Sequence, residues 1–157
     1  MIRTRTEISS LIIICLVIIY SCHPSFCIWD SGYEQLKELP SKESIIGLYE
    51  LTSNSKKFIQ SKGFNTKCQL FIEDSSKFNI KEIPDFVIDS NSRLVGKLID
   101  KSGKWFSSCD DSYGCMIELE GLQVMPLAKG KNGKISILMT IGDGDECKGI
   151  IFEQIKK

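Results

Sequence analysis

Lys134-Ile135-Ser136-Ile137-Leu138-Met139-Thr140-Ile141 decides the fold class. Ile135, Ile137, Met139 and Ile141 recur every second residue, between Lys134, Ser136 and Thr140. Side chains of a strand alternate between faces, so a period of two reads as a strand with one face on a core. Upstream, Cys115, Ile117 and Leu119 alternate with Met116, Glu118 and Glu120, and Cys68, Leu70 and Ile72 alternate with Lys67, Gln69 and Glu73. Further candidate strands are 45–51, 78–80, 86–88, 94–100, 104–107, 123–128 and 149–155. Asn132-Gly133 favours a tight hairpin, because both residues tolerate positive φ. Asp100-Lys101-Ser102-Gly103 reads as a similar link. No long amphipathic pattern follows residue 63, which argues against a parallel βαβ fold. The expectation is a mainly β domain: an antiparallel meander closing into a small barrel or curved sheet, with one or two short helices near its N-terminus.

Two short helices are expected before the sheet. One runs from Ser31 through Glu34, Leu36 and Leu39 to Pro40, and the other from Ser53 to Lys62, with its N-terminal Ser53 and Asn54 as caps and Gly63 as its end. The expected organisation is residues 1–21 as a signal peptide, 22–44 as a tether with a short helix, and 45–157 as one β domain. The length of 157 residues suits a single domain. Twenty basic and twenty acidic side chains give a formal net charge of zero, so no basic face speaks for nucleic acid.

The N-terminus reads as an address. Arg3 and Arg5 precede Leu11–Tyr20, ten residues without a charge. As a helix that run spans about 15 Å, half of a bilayer core of about 30 Å. It fits the apolar region of a signal peptide. Ile19-Tyr20-Ser21-Cys22 then resembles the lipobox of bacterial lipoproteins. The resemblance implies diacylglyceryl transfer to the Cys22 sulfur and cleavage between Ser21 and Cys22. The new amine of Cys22 is then open to a further acyl group such as palmitate. Tyr20 is bulkier than the family's common choices at a permissive position. An ordinary signal peptidase would instead cut after Cys27, with Ser25 at −3. His23 follows Cys22, where Asp would mark inner-membrane retention in some bacteria, so inner and outer membrane both stay open. The expected location is the cell envelope.

The remaining chain resembles a group of small bacterial envelope lipoproteins. The residues that carry this are Gly47-Leu48-Tyr49, Ile83-Pro84-Asp85-Phe86, Gly103-Lys104-Trp105, Ile141-Gly142-Asp143-Gly144-Asp145 and Gly149-Ile150-Ile151-Phe152-Glu153. These motifs are structural and imply no activity. Gly47-Leu48-Tyr49 also resembles the Gly-x-Trp that opens lipocalin-type barrels, with Tyr in place of Trp.

Export permits disulfides. Cys109 and Cys115 flank the turn-like Asp110-Asp111-Ser112-Tyr113-Gly114 and are the local candidates. Cys68 with Cys147 is a further possible pair if their strands are neighbours. No CxxC pair supports zinc, and the lone His23 lies beside the anchor. Asp143-Gly144-Asp145-Glu146 lacks the twelfth-position carboxylate of a calcium loop and reads as a turn. Asp110-Asp111 likewise reads as a solvated turn. With one His, no Gly-x-Ser-x-Gly elbow and no phosphate loop, the sequence offers no catalytic set and calls for no cofactor. Trp105, Phe106, Tyr113 and Phe86 read as either a pocket lining or core. The functional expectation is a lipid-anchored structural or interaction module, with a carrier of small hydrophobic ligands as the alternative. Its partners are then the membrane, through the anchor, and a protein or small molecule, with no nucleic acid.

Overall fold

The computed structural model describes residues 30–88, 96–130, 132–143 and 146–156. Cys22, Ser21 and the whole signal segment lie outside these residues. Among the described residues nine strands are present: β1 (Glu34–Gln35), β2 (Gly47–Leu51), β3 (Gln69–Ile72), β4 (Lys77–Pro84), β5 (Leu98–Asp110), β6 (Gly114–Leu119), β7 (Val124–Lys129), β8 (Ile135–Thr140) and β9 (Gly149–Lys156). Three short helices accompany them: α1 (Lys42–Ile45), α2 (Ser53–Ser61) and α3 (Asp85–Ile88). Strands β2 to β9 pair antiparallel in chain order, and β9 returns to β2. The result is a closed eight-stranded up-and-down barrel with β1 as an extra strand. Closure leaves the barrel wall no free edge for pairing.

The alternation read in the sequence sets the inside of this barrel. Tyr49, Leu70, Phe78, Ile117, Met125 and Phe152 are all buried in one continuous core cluster. Met139 and Ile150 face one another across β8 and β9 in the same cluster. Tyr49 stands on the opening strand, where its hydroxyl donates to the Ile45 carbonyl at 2.5 Å. A buried phenol needs such a partner. Helix α2 lies over β9: its Ser55 Oγ accepts from the Ile151 amide at 2.8 Å.

Four local expectations are corrected. Residues 31–39 are not helical: Tyr33 closes a turn onto the Asp30 carbonyl, and Glu34 and Gln35 pair with Lys129 and Ala128. Leu36 then donates to the Leu127 carbonyl and accepts from the Cys115 amide, stitching β7 to β6. These backbone bonds outweigh the weak local helix signal, and the first helix among the described residues comes later, at Lys42–Ile45. Second, the α2 cap is Thr52, whose side chain accepts from the Ser55 amide, and not Ser53 or Asn54. Third, Phe86–Ile88 is helical, begun by Asp85, whose carboxylate accepts from the Phe86 amide at 2.8 Å.

The fourth concerns Asp100–Gly103, which is no hairpin. It lies inside β5, a 13-residue strand that pairs with β4 in its first half and β6 in its second. Gly103 serves close packing there: a Cβ would lie 3.0 Å from the Phe78 ring and 3.2 Å from the Glu120 carbonyl oxygen. Asp100 is held by the Glu82 amide at 2.9 Å and the Lys81 ammonium at 3.0 Å.

Candidate functional site

The outer face of β5, β6 and β7 carries the most exposed large apolar side chains of the barrel wall. Register aligns Phe106, Glu118 and Val124 in one row across the three strands. Ser108, Met116 and Pro126 form the next row. Phe106 is 56% exposed and Val124 54%. Neighbouring strands lie about 4.8 Å apart, so this row is about 10 Å wide. Each of these residues alternates with an inward neighbour: Trp105, Ile117 and Met125 are buried. The core therefore fixes which side chains the face displays.

The β5–β6 hairpin extends the face. Cys109 and Cys115 are register partners and form the disulfide expected from sequence. Cys115 is buried in the core cluster, so the bridge lies at an end of the packed interior. Asp110 accepts from the Ser112 and Tyr113 amides at 2.8 and 3.3 Å, which makes this stretch a side-chain-closed turn. Gln35 binds the Tyr113 carbonyl through its side-chain amide, so β1 braces the tip. Gly114, at φ +70°, sits against the Leu36 carbonyl oxygen, which a Cβ would approach to 2.8 Å. Tyr113 at the tip is 74% exposed.

The four aromatics considered from sequence do not meet. Trp105 is in the core and donates its indole N–H to the Glu73 carbonyl at 2.9 Å. Phe86 packs against Phe58 and Phe64 beside α2. Only Phe106 and Tyr113 are exposed. Sequence analysis missed that Phe106 and Val124 share a row on either side of Glu118, because their register depends on two hairpins.

A second feature is a cleft of about 390 Å³ lined by Tyr33, Glu50, the Thr52–Asn54 end of α2, Ile151 and Glu153. Glu50 and Glu153 are cross-strand partners there. The Gln69 side-chain amide, with help from Lys56, holds the Glu50 carboxyl below its usual range. A general acid needs the opposite shift. Burial, then the nearby Glu153 carboxylate, pushes the Tyr33 phenol up.

Among the described cysteines, Cys68 is a free buried thiol and Cys147 is disulfide-bonded. The further pair Cys68–Cys147 is thereby overturned: Cys68 lies just before β3 among core side chains, while Cys147 lies just before β9. The Glu146 amide donates to the Asp143 carbonyl and Lys148 pairs with Glu146, while Gly144 and Asp145 of the expected turn lie outside the described residues. Among the described residues, no group of three or more His, Cys, Asp or Glu side chains is placed to hold a metal. No family model, curated protein or solved structure matches the chain.

Proposed function

We propose that this protein is a lipid-anchored module of the cell envelope that displays a β-barrel as an interaction surface and carries no catalytic activity. Cys22 is the anchor: its sulfur takes the diacylglyceryl group after cleavage behind Ser21. Two or more acyl chains make retention stable, since each buried methylene contributes about 0.8 kcal/mol. The observation that supports a protein-binding role over a carrier role is the pairing of a side-chain-filled interior with an apolar outer face. A carrier needs apolar volume inside the wall, and here Tyr49, Phe78 and Phe152 occupy that volume. An interaction surface needs exposed aromatic area on a rigid support. Phe106 on β5 and Val124 on β7 supply it, on either side of the exposed Glu118 of β6.

The test places a photo-crosslinking side chain at position 106, at 124 or at the exposed Lys77 control, in protein kept in its native membrane. Discrete protein adducts at 106 and 124 and none at 77 are expected. Adducts at none of the three positions, together with saturable one-to-one binding of an apolar fluorescent probe by the purified protein, would replace this reading with the carrier.

A further inference from the structure

We infer that the outer face of β3, β4 and β5 carries a second binding site, a polar groove that takes a neutral saccharide chain. The groove has a volume of about 380 Å³ and is lined by Glu73, Lys77, Asn79, Ser102, Lys104 and Glu120. The core places these side chains. Phe78 and Ile80 are buried in the barrel, so their neighbours Lys77 and Asn79 point out. Register sets Lys104 opposite Lys77 and Ser102 opposite Asn79. Glu73 stands just after β3 and Glu120 just after β6. On the far side of Asn79, its register partner in β3 is Phe71, which is 40% exposed. Phe71, Asn79 and Ser102 thus form one outward row, with an aromatic ring at one end and a hydroxyl at the other.

Asn79 asks for a donor. Its Oδ1 is buried and has no hydrogen-bond partner. Buried polar atoms in that condition are rare and costly. The terminal amide turns about χ2 with little resistance, so a group in the groove can reach it. A carboxylate, which only accepts, cannot satisfy Oδ1, whereas a hydroxyl can.

The charges of the groove cancel. Two cations, Lys77 and Lys104, share it with two carboxylates, Glu73 and Glu120. Neither lysine is in an ion pair among the described residues. The carboxylates are engaged elsewhere: Glu120 accepts from the Lys104 amide at 3.0 Å, and Glu73 from the Ser75 hydroxyl at 3.0 Å. The groove therefore presents separate donors and acceptors without a net charge. An anion would meet Glu73 and Glu120, and an apolar ligand would desolvate both ammonium groups without pairing them. A sugar hydroxyl both donates and accepts, so a saccharide can use the lysines, Asn79 and the remaining carboxylate lone pairs in one pose. The apolar C–H face of a sugar ring packs on an aromatic ring. Phe71 stands ready for that one strand from Asn79, about 4.8 Å away in the sheet. Val124 of the apolar outer face lies on β7, across β6 from this groove, so the two sites can be tested separately.

The test titrates isotope-labelled full-length protein, in a detergent without a sugar headgroup, with chitotetraose, maltotetraose, cellotetraose and, separately, inorganic phosphate. Amide correlation spectra are the readout. At least one of the sugars should saturably shift the Asn79 side-chain amide and the Ser102 and Lys104 backbone amides, and phosphate should not. Asn79→Ala should weaken that binding about tenfold or more. It should not lower the urea midpoint, because Oδ1 has no hydrogen bond to lose. The double variant Lys77→Ala with Lys104→Ala should weaken binding as well, while Val124→Ala should leave it unchanged. If Asn79→Ala does not fold, the lysine pair decides alone. No shift with any of the three sugars, saturable shifts of these amides by phosphate, or sugar binding that survives the groove variants would overturn the inference.

Discussion

At the scale of single residues, three side chains expose how the barrel is held. Tyr49 is fully buried, and its hydroxyl has the Ile45 carbonyl as partner. Tyr49→Phe removes the donor and leaves that carbonyl unpaired, so it should cost about 1–2 kcal/mol in urea unfolding. An unchanged midpoint would mean that water reaches this carbonyl. Burial pushes the Cys68 thiol up to about 12, with smaller contributions from Glu82 and Asp100. The thiolate is the reactive species. Native protein should therefore leave Cys68 unalkylated by iodoacetamide at pH 8, and denatured protein should react fully. Asp100 is held below its ordinary value of 3.8, first by the Glu82 amide and then by Lys81. Its folded-state value is the lower one, so its contribution is complete above the unfolded value and lost as pH falls through the folded value. The stability gap between wild type and Asp100→Asn should be constant near neutrality and close below pH 3.8. High salt should shrink it, because the carboxylate is exposed.

At the scale of elements, the disulfided β5–β6 hairpin is where sequence and structure agree best. Cys109 and Cys115 are strand partners around a turn that Asp110 closes. A closed loop of about seven residues constrains the unfolded chain by about 2 kcal/mol. The double variant Cys109→Ala with Cys115→Ala should lose about that much and retain the barrel's circular-dichroism spectrum. Loss of the spectrum would show that the bridge is required for folding. The alternating strands were legible because the barrel buries every second residue, as at Cys115, Ile117 and Leu119 around the exposed Glu118, although in β8 Ser136 and Leu138 are buried as well. Residues 31–39 were not legible as a strand. β1 has two residues, and its reason to be extended lies some 90 positions away in β7. Gly103 was misread because glycine marks both turns and close approaches. Only the Phe78 ring beside it tells the two apart.

At the scale of the whole molecule, closure of β9 on β2 joins residues that no local pattern connects. A meander was readable from turn spacing, and the curved-sheet alternative was settled only by that pairing. The apolar outer face follows from the same register: neither Phe106 nor Val124 is distinctive alone, and two hairpins bring them into one row. In the proposed function, presenting that face at a membrane depends on Cys22. The most direct measurement is the intact mass of the protein isolated from its native membranes, with Cys22→Ala as comparison. The account predicts a chain that begins at Cys22 and carries a diacylglyceryl adduct, with adduct and membrane retention both lost in the variant. A mass matching an unmodified chain that begins at a later residue, such as Ile28, would contradict it.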